Sequence, residues 1–454
     1  MSVPLIISAS GVRGVVGEGL TPGIVVDLAS AFGEMVGGDI LVGYDTRTSN
    51  EMFKYAVFSG LLSVGCRVVD LGICPTPSLQ LMVKETEADG GIAITGSHNP
   101  PEWNALKFVR KDGLFLFPEE GEKLISIYKK GFFKRVSWNS LGKVYKDSSA
   151  ISRHIDKIMK MVDVETIRKK RFKVVIDACN GAGAVISPFL LEKLGCEVIR
   201  INCETDRAFP HLPEPVPANL GELCEKVKQT GADIGFAHDA DADRLALVSN
   251  GGQALSEEYT LLVATRGVLQ KSRGVVVTNI CTSAAIDEIA AEFGCVVKRT
   301  RVGDIYVSRC MRDCKAVIGG EGNGGVIFPP MNYARDGITA IALILDFLAR
   351  ENISVSSVID SLPSFFMYKK KISNSGIDFN GLKDRLISEF DSSQLNFLDG
   401  IKVWLEKGWV HIRASGTEPV IRIISEAKNR SEAEDIYNWA LELLSNFGYS
   451  KSGI

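Results

Sequence analysis

Thr95-Gly96-Ser97-His98-Asn99-Pro100 holds a serine in a tight turn, between a flexible glycine and the stiff pair Pro100-Pro101. Such a turn presents a hydroxyl well, but serine is a weak nucleophile until a base or a charged partner activates it. Taken alone, the segment is also an ordinary polar turn with Ser97 as a local cap. Asp239-Ala240-Asp241-Ala242-Asp243-Arg244 sets three carboxylates at alternate positions between the apolar flanks Ile234–Ala237 and Leu245–Val248. Carboxylates this close repel one another unless a cation neutralises them, and hard oxygen donors suit Mg²⁺ or Ca²⁺. An EF-hand would need Gly where Arg244 stands and Glu where Asn250 stands, so that reading fails; the apolar flanks argue against a solvated acidic turn. Gly319-Gly320-Glu321-Gly322-Asn323-Gly324-Gly325 offers one acid and one amide on bare backbone that can approach a sugar closely, or else forms a flexible turn. Arg413-Ala414-Ser415-Gly416-Thr417-Glu418-Pro419, with Arg422 beyond it, combines guanidinium, hydroxyl and backbone N–H groups. That set matches phosphate oxygens; the alternative is a hairpin connection carrying incidental arginines.

One further glycine-rich run reads differently. Asn180-Gly181-Ala182-Gly183 follows an apolar run and opens a helix, and Glu204 and Asp206 follow it by roughly twenty residues, as in a dinucleotide-binding fingerprint. Ile186 stands where the third glycine belongs, so the segment is read as a structural turn.

Elements able to position these loops are legible in the hydrophobic pattern. Ile40–Tyr44, Arg67–Leu71 and Gly91–Thr95 read as strands, with a helix over Glu51–Val64. A second unit runs through strand Phe172–Asp177, helix Ala184–Leu194, strand Glu197–Ile201 and strand Ala232–Ala237. A third runs through helix Glu257–Leu269, strand Gly274–Asn279, helix Ala284–Phe293, strand Val296–Thr300 and strand Lys315–Ile318. Alternating strands and amphipathic helices indicate α/β layers with largely parallel sheets. The last segment changes character: Lys402–Leu405 and Trp409–Ile412 form a hairpin around Glu406–Gly408, then come strand Val420–Ser425 and helix Glu432–Asn446. The expected fold class is therefore α/β, with three related mixed α/β domains over residues 1–150, 151–253 and 254–365 and an α+β domain over 366–454. In each α/β unit the polar or glycine-rich loop directly follows an apolar strand, where ligands bind in open sheets, so the loops could converge on one cleft.

In this order, and over essentially the whole chain, the four loops resemble those of the α-D-phosphohexomutases, the family of phosphoglucomutases, phosphomannomutases and phosphoglucosamine mutases. The resemblance implies four domains around a central cleft and a phosphoryl group moved within a hexose phosphate through a hexose 1,6-bisphosphate intermediate. It implies that Ser97 is the phosphoserine and that Asp239, Asp241 and Asp243 hold Mg²⁺ together with an oxygen of that phosphate. Glu321 and Asn323 would meet the sugar hydroxyls, while Arg413, Ser415, Gly416, Thr417 and Arg422 would grip the idle phosphate. Arg13, in Ser10-Gly11-Val12-Arg13-Gly14, matches the family's early arginine, and Lys107 matches a lysine of proton transfer or charge stabilisation. His98, beside Ser97, joins the catalytic set, and Arg244 borders the metal loop. Many members carry Ser and His where Asn323 and Gly325 stand, which moves proton transfer onto Lys107 and Arg13. Ala105 and Ala240 also replace usual glycines. The Glu321–Gly325 loop is similar to that of archaeal-type phosphoglucosamine mutases, so glucosamine phosphate is the favoured substrate, with glucose or mannose phosphate as the alternative. A non-catalytic phosphosugar-binding protein and an NAD-dependent enzyme are the rival classes.

Composition limits the remaining options. The chain has 454 residues, 45% hydrophobic and 24% charged, with a net charge of −3 and a pI near 6.1. That is too long for one core and carries no basic field for nucleic acid. The most apolar helix candidate, Ile338–Leu348, is short and contains Asp346, so no membrane association is expected. Met1–Ser10 lacks the pattern of a signal peptide. The ten cysteines are irregularly spaced, and Cys310 and Cys314 have no neighbouring His to complete a zinc site. They read as reduced, mostly buried thiols of a cytoplasmic protein.

Overall fold

The computed structural model describes residues 5–8, 11–373, 376–414 and 420–449. The first sheet contains β1 (Ile6–Ser8), β2 (Gly11–Val15), β3 (Asp39–Tyr44), β4 (Arg67–Ile73), β5 (Gly90–Ile94), β6 (Trp103–Arg110) and β7 (Val144–Lys146), in the order β1-β2-β6-β5-β3-β4-β7. It is mixed rather than largely parallel, because β6 runs antiparallel to both β5 and β2. The sequence reading missed β2 and β6, which carry Arg13 and Lys107. Neither shows a long apolar run, since Arg13 interrupts β2 and Asn104 and Lys107 interrupt β6.

The second sheet, β8 (Lys173–Asp177), β9 (Glu197–Ile201), β10 (Ile234–His238) and β11 (Leu245–Val248), has the order β11-β10-β8-β9. The third, β12 (Val276–Asn279), β13 (Val297–Thr300), β14 (Ile318–Glu321) and β15 (Gly325–Ile327), repeats that pattern as β13-β12-β14-β15. In each of these two sheets parallel strands end on one antiparallel hairpin partner, so the loop inside the hairpin sits at the carboxyl end of the central strands. The fourth sheet, β16 (Phe366–Ser373), β17 (Leu395–Asn396), β18 (Ile401–Leu405), β19 (Gly408–Ala414) and β20 (Val420–Ala427), is antiparallel throughout and backed by a helix over Arg430–Ser445.

Several element readings are corrected. The helix expected over 184–194 is a 3₁₀ turn at Ala182–Val185 followed by a helix at Ser187–Lys193, broken around Ile186 just before Pro188. The strand expected over 315–318 starts at Ile318, because Lys315 takes a left-handed conformation that ends the preceding helix, Asp304–Cys314. Glu321 therefore closes β14 instead of following it. Only Cys66, Cys74 and Cys179 are buried; the other seven thiols are partly exposed, and all ten are free.

Helix Gly337–Glu351 is buried on nearly every face, and its apolar residues join the second and third units in a single core. Asp346 is accommodated there by Lys271 Nζ at 2.6 Å and the Asp163 amide at 2.9 Å. At the helix start Asp336 caps the Ile338 and Thr339 amides and meets His154 Nε2 at 2.8 Å, while His154 Nδ1 meets Ser78 Oγ at 2.7 Å. All three side chains are buried, so this hydroxyl–imidazole–carboxylate row fastens the first unit to the third and is out of reach of a substrate. Among the described residues no helix is long and apolar enough to cross a membrane.

Candidate active site

Ser97 lies in the turn between β5 and β6 with φ of 51°, a left-handed conformation that costs a non-glycine residue about 1–2 kcal/mol. Its amide donates to Thr95 Oγ1 at 2.8 Å. The turn is wrapped around a residue the sequence reading overlooked, Arg47. This buried guanidinium donates to the carbonyls of Ser97, Asn99, Pro100 and Trp103 at 2.7, 2.7, 2.7 and 2.9 Å, and to Asp45 Oδ2 at 3.2 Å. Gly96 is needed because a Cβ there would lie 2.6 Å from Arg47 Cζ.

Ser97 Oγ donates to Asp239 Oδ2 at 2.7 Å, across the gap between the first and second units. Asp239, Asp241 and Asp243 occupy the β10–β11 loop, buried, with one carboxylate oxygen from each lying within 4.8 Å of the others. Ala242, between the last two, is left-handed with φ of 55°. Ala240 needs no glycine because its φ is not positive; the close packing is absorbed by Gly181, where a Cβ would lie 2.6 Å from the Ala240 carbonyl. The Asn180–Gly183 turn thus serves as a buttress, its Ala182 amide donating to the same carbonyl at 2.7 Å. Thr76 of the first unit holds Asp241 by amide and hydroxyl, the latter at 2.6 Å from Oδ2.

The charges in this cluster are unequal. Burial and the two neighbouring carboxylates push Asp239 well above the usual carboxylate range. Burial also opposes ionisation of Asp241, but Lys107, 2.6 Å away, and Thr76 outweigh it and hold Asp241 below that range. Burial works against the Lys107 charge as well, yet Asp241 and Asp243 keep the ammonium above its ordinary value. Lys107 is thus held as a cation against Asp241 and Asp243. Asp241 Oδ1 and Asp243 Oδ1 are buried and accept no hydrogen bond. Two orphaned carboxylate oxygens beside a third carboxylate make a donor set that fits a hard divalent cation. His98 Nδ1 accepts from Arg244 NH2 at 2.9 Å; burial and that guanidinium depress its basicity far below normal, so the imidazole is neutral and orients Arg244.

The third unit contributes Glu321 at the end of β14. Its Oε1 accepts from Asn279 Nδ2 at 2.8 Å and the Gly303 amide at 2.9 Å, and its Oε2 from Arg335 NH1 at 3.2 Å. Asn323 follows, with Nδ2 3.4 Å from Glu321 Oε2. In the fourth unit Arg413 and Arg422 are cross-strand partners on β19 and β20, and Arg413 Nε pairs with Asp399 Oδ1 at 2.9 Å. Ser415, Gly416 and Thr417 lie outside the described residues. One cavity of about 420 Å³ is lined by all four units, with Arg13, Ser97, Lys107, Glu321, Arg413 and Arg422 among its walls. Arg244, His98 and Asn323 also face it. Arg47, Arg335 and Asn279 went unread because each acts from a strand or loop whose partners are far away in sequence.

Family models describe the same arrangement. The alpha/beta/alpha domains I, II and III of phosphoglucomutase/phosphomannomutase match residues 5–135, 152–252 and 256–366, and the C-terminal domain matches 378–438. The chain belongs to the phosphoglucomutase/phosphomannomutase family. A phosphoglucomutase/phosphomannomutase of Thermococcus kodakarensis is 40% identical over 444 residues, 96% of this chain and 97% of that protein. A phosphoglucosamine/phosphogalactosamine mutase of Sulfurisphaera tokodaii is 36% identical over 94% of this chain and 96% of its own length. The crystal structure of a phosphoglucomutase/phosphomannomutase family protein from Burkholderia thailandensis superposes with a TM-score of 0.84 at 27% identity, covering 98% of this chain and 99% of that one.

Proposed function

We propose that this protein interconverts hexose 6-phosphate and hexose 1-phosphate by passing a phosphoryl group through Ser97. The observation that carries the reading is the 2.7 Å contact of Ser97 Oγ with Asp239, within a cluster of carboxylates that fits a divalent cation. Phosphoryl transfer needs in-line positioning and charge neutralisation more than covalent activation, and this cleft supplies both. In the first half-reaction the bond from phosphorus to Ser97 Oγ breaks as one to a sugar hydroxyl oxygen forms, and the hydroxyl proton ends on Ser97 Oγ. The resulting hexose 1,6-bisphosphate turns over in the cleft, and the reverse transfer removes its other phosphate. Asp239, Asp241 and Asp243, with an oxygen of the phosphorylated Ser97, are the residues that would hold Mg²⁺, which when bound neutralises the transferring group.

The four units, assigned to residues 1–150, 151–253, 254–365 and 366–454, each supply one loop. Lys107 and Arg13 stabilise charge beside Ser97, and Arg244 is held for the same task by neutral His98. Glu321 and Asn323 take the sugar hydroxyls, while Arg413 and Arg422, with Ser415, Gly416 and Thr417, anchor the idle phosphate. Glucosamine phosphate is the favoured substrate, in keeping with the amino-sugar relative, with side activity on glucose phosphate. The test is peptide mass spectrometry of active enzyme together with a coupled assay on glucosamine, glucose and mannose phosphates. Phosphate on Ser97 and a dead Ser97→Ala variant are expected; full turnover by that variant would refute the proposal.

A further inference from the structure

Gly325 opens β15 without a left-handed φ, so backbone conformation does not require a glycine there. Space does. A Cβ at 325 would lie 2.3 Å from Arg335 Cδ and 3.0 Å from its Cγ. The missing side chain therefore makes room for the stem of Arg335, whose side chain is only 10% exposed. Arg335 NH2 pairs with Asp243 Oδ2 at 2.7 Å and with Asp304 Oδ2 at 3.3 Å, while NH1 reaches Glu321 Oε2 at 3.2 Å. One planar fork thus spans the metal loop of the second unit and the sugar loop of the third. Arg335 shares Oδ2 of Asp243 with Lys107 Nζ at 3.5 Å, while the other oxygen, Oδ1, accepts no hydrogen bond.

We propose that Gly325 and Arg335 are a matched pair, in which the bare backbone at 325 admits Arg335 and Arg335 fixes Glu321 relative to Asp243. Arg335 is then a positioning residue for the mutase reaction, a role that rests on the reading of Glu321 as a sugar contact. The guanidinium is rigid and stays charged at any working pH, so it transmits position and does not exchange protons. A lysine would keep the charge but, as a single flexible point, could not hold two carboxylates at a set separation. Without Arg335, Asp304 and Glu321 lose their shared guanidinium while Asp243 keeps Lys107 at 3.5 Å and Arg244 at 3.9 Å, so Glu321, still held at Oε1 by Asn279 and Gly303, loses its tether to the metal loop.

The test is a double-mutant cycle of Gly325→Ala and Arg335→Ala, with Arg335→Lys alongside. Steady-state kinetics are measured in both directions, and glucosamine 6-phosphate binding to the metal-free enzyme is followed by calorimetry. Because contacting residues couple and independent ones add, Gly325→Ala should lower kcat/KM by about tenfold in the native background and by less than about twofold in the Arg335→Ala background. Arg335→Lys should weaken sugar-phosphate binding by about tenfold while the melting temperature stays close to that of the parent, which separates positioning from loss of fold. Equal damage from Gly325→Ala in both backgrounds, or native binding by Arg335→Lys, would overturn the proposal. Glu321→Ala serves as the control: if it binds sugar phosphate like the parent, the sugar-loop reading has failed, whereas damage from Glu321→Ala with an inert Arg335→Lys defeats the matched pair alone.

Discussion

Replacing Arg47 by Met would test whether the shape of the Ser97 turn, and not merely the presence of a serine, makes the site. The side chain is buried and donates five hydrogen bonds, four to carbonyls of residues 97–103 and one to Asp45. Counting each as a charged hydrogen bond of about 1.5–3 kcal/mol would overstate the loss, because bonds from one group are not additive and carbonyls near the cleft rehydrate. The better guide is a buried ion pair broken from one side, at about 3–5 kcal/mol; at roughly 2–4 °C per kcal/mol the first unit should melt about 6–20 °C lower. With the fork gone, the left-handed conformation of Ser97 loses its support, and a shift of about 1 Å in a reacting group can lower turnover on the order of a hundredfold. Arg47→Lys offers three donors at most and should fall between Met and the parent. Calorimetry reports the melting, a coupled mutase assay the turnover, and phosphopeptide spectrometry the occupancy of Ser97. Gly96→Ala, which drives a Cβ into Arg47 Cζ, should mimic the defect. Turnover within threefold of the parent in Arg47→Met, at a temperature where the protein is folded, would refute the reasoning.

Chelation with EDTA should abolish turnover and added Mg²⁺ restore it, with Asp243→Ala raising the Mg²⁺ concentration needed, as read by titration of initial rates. Glu321→Ala should reduce kcat/KM in both directions alike, by an amount on the order of 1.5–3 kcal/mol for a charged hydrogen bond, measured with 1-phosphate and 6-phosphate substrates. Lys402 gives a pH signature. Burial, and then the neighbouring Arg299, push it from 10.5 down to about 7, so between those values the unfolded chain binds one proton more than the folded chain and stability rises with pH. The melting temperature should therefore climb between pH 7 and 9 in the parent, and Lys402→Met should flatten that climb, as followed by scanning fluorimetry.

The contrast between what was legible in the chain and what was not follows from the range of the interactions. Ser97, the alternating aspartates, Glu321 and Arg413 announce themselves because their chemistry is local: a nucleophile needs a tight turn, a cation needs clustered oxygens, and both are written within six or seven neighbouring residues. The α/β alternation is legible for the same reason, since each helix or strand is set by the periodicity of its own side chains. The strands carrying Arg13 and Lys107 were not, because β2 and β6 interleave polar site residues with apolar ones and are defined by pairing with each other. Nor could the sequence display Arg47 beneath the Ser97 turn, Thr76 against Asp241, or Arg335 against Asp243; in each the partners are far apart in the chain and meet only through packing. The same holds for charge. Nothing local distinguishes Asp239 from Asp241, yet burial beside two carboxylates pushes the first up while Lys107 and Thr76 hold the second down. Residue types and spacing thus determined which chemistry is possible, and the tertiary structure decided which groups carry charge and where they stand, because desolvation and Coulomb interactions depend on distances that chain order does not contain.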